Sequence, residues 1–291
     1  MKHSDATKIL CKPQKARHKA AQSFLRKISG IKAVVWNFYR TLVWTEPFGD
    51  YCDANFRKAL LFSGFMPKDC GSFDFGRAFM DMQRAHKDIM AKEGVKNPEV
   101  DLLLIYEDLL ENLASENLVK GKVNEAAIKK LAVNFEILSR SAWLMPNAIR
   151  TLNALKEAGL KMITVSDAQF FAPYIFPVIA GKSMAQLGFD EQNCVWSFLY
   201  RRAKPSNILF ESAAEYFEKT YSLSPKSVLY VGSDMQKDII PAAKTGFKTA
   251  LFTGGERVDF PENGAIPDIV VDDLIDVAKA LAKKMRPKKG A

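Results

Sequence analysis

The sequence predicts an α/β fold: a Rossmann-like parallel sheet core with an all-helical segment inserted after its first strand. Three observations point there. Six short apolar runs rich in β-branched residues, at 32–36, 161–166, 193–197, 228–232, 248–252 and 268–271, read as buried strands. Helical patterns separate most of the later ones, the alternation expected of a parallel, doubly wound sheet. Between about residues 47 and 145 that alternation stops, and only helical periodicity remains.

The elements follow in order. The first strand, ending in Val34-Val35-Trp36, runs into the polar turn Asn37-Phe38-Tyr39-Arg40 and then Thr41-Leu42-Val43. Segments 50–63, 74–92, 98–118 and 124–140 carry helical spacing of apolar residues with almost no strand pattern. The sheet resumes near Pro146; a helix over Thr151 to Ala158 is closed by Gly159, a C-cap residue, just before the strand at 161–166. A helix is expected from Pro205 to Tyr216, with Pro205 in its first turn. A shorter one, Pro241 to Lys244, leads through Gly246 to the strand at 248–252. This divides the chain into a basic N-terminal extension (1–30), a core (31–46 and 146–282), the helical insertion (47–145) and a basic tail (283–291).

The 291 residues are 48% hydrophobic and 26% charged, ordinary for a globular chain. No run of eighteen apolar residues predicts a transmembrane helix, and the N-terminus has no apolar secretory core. Cys11, Cys52, Cys70 and Cys194 are scattered without metal-binding spacing, which predicts reduced thiols and a cytoplasmic location. The net charge of +9 belongs to the ends: residues 1–30 hold eight Lys/Arg against Asp5, and residues 283–291 hold five without an acid, leaving 31–282 at −3. Such tails can attract nucleic acid or an anionic membrane; solvated ends are the favoured reading, because no nucleic-acid motif accompanies them. Ala20, Ala21, Phe24, Leu25 and Ile28, between basic residues, predict a short basic amphipathic helix.

The first strand and its turn resemble the opening motif of the haloacid dehalogenase (HAD) superfamily, and the helical insertion resembles that family's type-1 cap. Three further stretches carry the likeness. Met162-Ile163-Thr164-Val165-Ser166-Asp167 ends in the serine of the second motif, Arg202-Ala203-Lys204-Pro205 supplies the lysine of the third, and Gly232-Ser233-Asp234-Met235-Gln236-Lys237-Asp238 matches the acidic loop of the fourth. The resemblance implies catalytic positions at Asn37, Tyr39, Ser166 and Lys204, and substrate contacts from Arg40, Thr41, Asp167 and Arg201. It also implies magnesium as the candidate cofactor on Asp234 and Asp238. Read from the residues alone, Asp234 is equally a turn former and Asp238 a helix N-terminal acid. An exposed lysine at a helix start is the bland alternative for Lys204.

The first motif departs from the family pattern where it matters. Asn37 stands at the nucleophile, and a carboxamide is a far poorer nucleophile than a carboxylate. Tyr39 replaces the phosphatase acid/base, Arg40 the turn glycine, and Ser233 the leading acid of the fourth motif. The expected function is a HAD-fold pseudoenzyme that keeps a pocket for a small anionic ligand, phosphate or carboxylate. The alternative is an active hydrolase, phosphatase or haloacid dehalogenase-like, with unusual chemistry or an Asn37 that deamidates; a third reading is a scaffold acting through its basic tails. His3, His18 and His86 suggest no catalytic arrangement, and His86 is expected to be solvated. Trp36, Trp44, Trp143 and Trp196 are expected to be packing residues.

Overall fold

The computed structural model describes residues 25–46, 53–68, 73–255 and 266–282. The core is a six-stranded parallel sheet formed by β1 (Ala33–Trp36), β6 (Lys161–Ser166), β7 (Val195–Trp196), β8 (Val228–Gly232), β9 (Lys248–Phe252) and β10 (Ile269–Val271). Their order across the sheet is β10-β9-β8-β1-β6-β7, so all six expected strands are present. Every residue of β1 and β8 is buried, as strands covered on both faces require. Flanking helices supply that cover: α5 (Ala148–Glu157), α6 (Ala172–Ala180), α7 (Ser197–Tyr200), α8 (Asn207–Tyr221), α9 (Ile240–Lys244) and α10 (Ile275–Leu281).

Register decides where the chemistry sits. Trp36 lies level with Thr164 on one side and Val231 on the other. Asn37, Ser166 and the loop after Gly232 therefore emerge at one edge, the carboxyl ends of three adjacent strands, where open α/β sheets place their ligand sites.

The insertion leaves and re-enters beside this edge. Its ends are tied by β2 (Val43–Thr45) and β5 (Ala142–Leu144), an antiparallel pair that sets Trp44 opposite Trp143. Four helices follow the expected segments: α1 (Asp53–Phe62), α2 (Phe75–Lys92), α3 (Leu102–Ser115) and α4 (Glu125–Ser139). Asp74, Asp101 and Asn124 cap the last three by accepting from backbone N–H groups of the first turn. The helices share a core of their own built on Phe56, Phe75, Phe79, Tyr106 and Phe135, with ring centroids as close as 4.7 Å. The pair β2–β5 and a second one, β3 (Met66–Pro67) with β4 (Val119–Lys120), were not expected, since two or three residues are too few to show alternation.

Two expectations are corrected. Helix α8 begins at Asn207, with Ser206 at the N-cap, so Pro205 precedes the helix and does not occupy its first turn. The amphipathic helix expected to reach Ile28 is absent over residues 25–28, where the Ile28 N–H donates to the Ala280 carbonyl (3.2 Å) and Arg26 pairs with Asp268 (3.0 Å). The rest of that segment and the tail at 283–291 lie outside the described residues.

Strand β8 must end in glycine for a local reason. A Cβ on Gly232 would stand 2.5 Å from Cβ of Asp238 and 2.6 Å from its carboxylate, too close for any side chain. Gly232→Ala is expected to cost about 1–3 kcal/mol in denaturant unfolding, the range of overpacked cores. A midpoint equal to that of the wild type would show that Asp238 is free to move away.

Candidate active site

Asn37 is the first residue beyond β1, held there by its backbone N–H to the Val231 carbonyl (2.8 Å). Its side chain is buried and engaged at both ends. Nδ2 donates to the Tyr39 carbonyl (2.7 Å) and to Oγ1 of Thr41 (3.1 Å). Oδ1 accepts from Nζ of Lys204 (2.8 Å) and Oγ of Ser166 (3.1 Å). The partners fix which end is which: an ammonium can only donate and a carbonyl can only accept, so the amide cannot be flipped.

Lys204 reaches this point from the loop before α8, where its backbone N–H donates to Oδ1 of Asp167 (2.8 Å). It is 5% exposed, so it is not the surface lysine of the bland alternative. Its ammonium forms a buried ion pair with Asp238. Asp238 is brought back by the wide turn Met235–Ile239, which Asp234 caps by accepting from the N–H groups of Gln236 (2.8 Å) and Lys237 (2.9 Å). The Asp238 carboxylate then collects four contacts. Oδ1 faces Lys204 and the Tyr230 hydroxyl (2.9 Å), and Oδ2 accepts from the N–H groups of Ser233 (2.9 Å) and Asp234 (3.0 Å).

A buried ion pair survives only when its remaining lone pairs are satisfied, and these four contacts meet that need. Burial pushes the Tyr230 phenol well above its usual range, and the adjacent Asp238 charge adds to it. Burial also raises the Asp167 carboxyl, against the downward pull of Lys204.

The structure thus brings Asn37, Thr41, Ser166, Lys204, Asp167 and Asp238 into one bonded cluster. Asp234 lies at its edge, with its side chain turned to capping. Tyr39 joins the cluster only through its backbone carbonyl; among the described residues, the side chains of Tyr39, Arg40 and Arg201 make no hydrogen bond or ion pair within it. The Tyr39 ring packs edge-on against Phe38 and lies 5.5 Å from the Arg140 guanidinium; burial, with Glu136 nearby, holds its phenol well above the usual range. Arg40 takes a left-handed backbone (φ 63°) and points its side chain outward, with no hydrogen bond or ion pair to Asp234 among the described residues. Arg201 is likewise left-handed (φ 51°) and exposed. His86, expected to be solvated, pairs with Asp108 across α2 and α3 (2.7 Å).

The residues present do not fit magnesium. A hard dication needs several oxygen ligands with free lone pairs, yet both Asp238 oxygens already face protein donors. One Asp234 oxygen takes two backbone N–H groups, and Asn37 turns N–H donors toward the Tyr39 carbonyl. The Lys204 ammonium already pairs with Asp238 and occupies the side of that carboxylate that faces Asn37. Among the described residues, no three His, Cys, Asp or Glu side chains are grouped to hold a metal ion.

Sequence reasoning gave no role to Tyr230, Gln169, Glu99 or Ser197. Tyr230 left one trace, a phenol in an otherwise aliphatic strand. Gln169 lies in the stretch Ser166-Asp167-Ala168-Gln169-Phe170, which resembles a Ser-Asn-Ala-Gln-Phe pattern of one HAD subgroup, but its partners are far away in the chain. Glu99 and Ser197 left none.

Comparisons with known proteins point to hydrolases. A family described as HAD-hydrolase-like matches residues 201–277. A glyceraldehyde 3-phosphate phosphatase from Methanopyrus kandleri is 29% identical over 145 residues, covering 47% of this chain and 58% of that protein. One of the same name from Methanocaldococcus jannaschii is 28% identical over the same shares. The chain therefore matches little more than half the length of these relatives. Among solved structures, a 2-haloacid dehalogenase from Pseudomonas syringae pv. Tomato superposes with a TM-score of 0.55 at 16% identity, over 86% of this chain and 97% of that one. A dehalogenase solved with an intermediate complex gives 0.51 at 18%, over 88% and 99%. These likenesses bear on fold alone. Together with the family match over residues 201–277, four motifs that run in family order and three motif side chains that meet at one sheet edge, they support the resemblance of this chain to the haloacid dehalogenase superfamily.

Proposed function

We propose that this is a HAD-fold protein in which hydrolysis is lost or strongly attenuated and which retains a site for a small anion, phosphate or carboxylate. The observation that carries the reading is the engagement of Asn37 at both ends. A carboxamide has little nucleophilicity to begin with, and this one has no freedom to approach a substrate. Loss of a nucleophile that acts within a unit costs on the order of a millionfold in rate. Lys204 supports anion binding: among the described residues its ammonium bonds Asn37 and Asp238, which leaves its third proton for a ligand beside Ser166.

The alternative, an active phosphatase, draws support from the phosphatases among the relatives and from the retained Ser166, Lys204, Asp234 and Asp238. It requires unusual chemistry at Asn37 or its deamidation to Asp. The bulky, fully buried Phe38 that follows makes deamidation slow.

Protein whose Asn37 peptide has unmodified mass is expected to show no turnover of generic phosphomonoesters above background, with or without magnesium. Robust magnesium-dependent turnover by such a sample would overturn the proposal. Asn37→Asp alone is expected to remain at least about a thousandfold below an ordinary kcat of ~10 s⁻¹. Tyr39 and Arg40 persist in that variant, and Asp238 stays saturated. Weak activity should need Tyr39→Asp and Arg40→Gly as well, with Ser233→Asp if the acidic loop is also disabled. Efficient hydrolysis by the single variant would mean that only one atom group had been lost.

A further inference from the structure

We infer that residues 97–102 of the insertion form a strap, clamped by Gln169, that makes docking of the insertion and integrity of the Lys204 site a single equilibrium. The strap joins α2 to α3 and lies across two loops of the core at once. On the loop following Ser166, the Gln169 side chain acts like a strand neighbour: Oε1 accepts from the Leu102 N–H (3.0 Å) and Nε2 donates to the Val100 carbonyl (2.9 Å). On the loop preceding α8, the Ala203 N–H donates to the Asn97 carbonyl (2.8 Å) and the Glu99 N–H to the Arg201 carbonyl (3.3 Å). Asn97 and Arg201 both take left-handed backbones (φ 54° and 51°), which turn the two segments together. These are costly conformations for residues with a Cβ, so the surrounding contacts must hold them.

Ser197 closes the arrangement. Its Oγ accepts from the Ala168 N–H (3.0 Å) and donates to Oε2 of Glu99 (3.1 Å). The Glu99 carboxyl is raised above its usual range by burial, with Lys87 drawing it down and Asp167 pushing it up. The two core loops are themselves joined by the Lys204 N–H to Asp167 bond. Lifting the insertion therefore breaks contacts to Gln169, Ser197, Arg201 and Ala203 together, and frees the loop that follows Ser166 and the loop that carries Lys204. By linkage, an anion held by Ser166 and Lys204 must favour the docked insertion as much as docking favours the anion. That second half rests on the anion-binding reading above; the strap itself does not.

Gln169 is then a positioning residue, and amide hydrogen exchange with inorganic phosphate as probe tests it. In Gln169→Leu the Glu99, Leu102 and Ala203 amides are expected to exchange roughly tenfold faster, with those of β1 unchanged, as in a local opening. Phosphate should slow the same amides in the wild type and bind several-fold more weakly to the variant. Faster exchange at Leu102 alone, with Glu99 and Ala203 unaffected, would overturn the strap. Phosphate affinity unchanged in a variant whose strap has opened would overturn the coupling. Wild-type protein that binds no phosphate would sink the anion reading, and the exchange pattern would still decide the strap. Should Gln169→Leu fail to fold, Gln169→Glu keeps the acceptor for Leu102 and sets an oxygen against the Val100 carbonyl, with the same expectations.

Discussion

The hydrogen bond from the Asn37 carboxamide to the Tyr39 carbonyl is the constraint around which the rest of the site is arranged. It closes the turn after β1 and leaves the other end of the amide, Oδ1, facing Lys204 and Ser166. Because the amide is neutral, the Lys204 ammonium meets one carboxylate directly, Asp238, while Asp167 bonds the Lys204 backbone N–H. A carboxylate at position 37 would set two anions against one ammonium and an oxygen against a carbonyl 2.7 Å away. Substituting one atom group thus changes the charge, the hydrogen-bond polarity and the cation demand of the pocket together.

Sheet geometry delivers the partners to this point. The register of β1 between β6 and β8 sets Asn37 and Ser166 at one edge, and Gly232 lets the Asp238 carboxylate fold back against the end of β8. Tyr230 supports Asp238 from within the sheet, and the backbone N–H groups of Ser233 and Asp234 support it from the loop. The insertion adds a second layer of control, since its strap meets the loop that follows Ser166 and the loop from which Lys204 projects. The site is therefore held by its own bonds and by an element that contributes no residue to its cluster.

Much of the fold was legible in sequence because its strands are fully buried and β-branched, and because the capped helices of the insertion are long. The short pairs 43–45 with 142–144 and 66–67 with 119–120 were not, since they are too brief for a period to register. Of the candidate site, the positions of Asn37, Ser166 and Lys204 could be read from motif order. The partner of Asp238 could not: the spacing of Asp234 and Asp238 fits a metal loop as well as a capped turn, and only the structure turns one carboxylate to Lys204 and the other to backbone. Arg40 was expected to contact substrate; the residue is exposed. The Gln169 clamp joins residues 67 and 69 apart, and no local pattern encodes such a contact.

The central claim is that position 37 is built for an amide. The most direct test compares the unfolding free energy of Asn37→Asp with that of the wild type at neutral pH. The donor contact to Tyr39 is lost, the contact to the Thr41 hydroxyl reverses, and a buried oxygen is set against the Tyr39 carbonyl. The attraction to a Lys204 already paired with Asp238 offsets this only in part. A loss of about 1–3 kcal/mol is expected. An Asn37→Asp protein as stable as the wild type, or more so, would contradict the account and show that the pocket still accommodates a carboxylate.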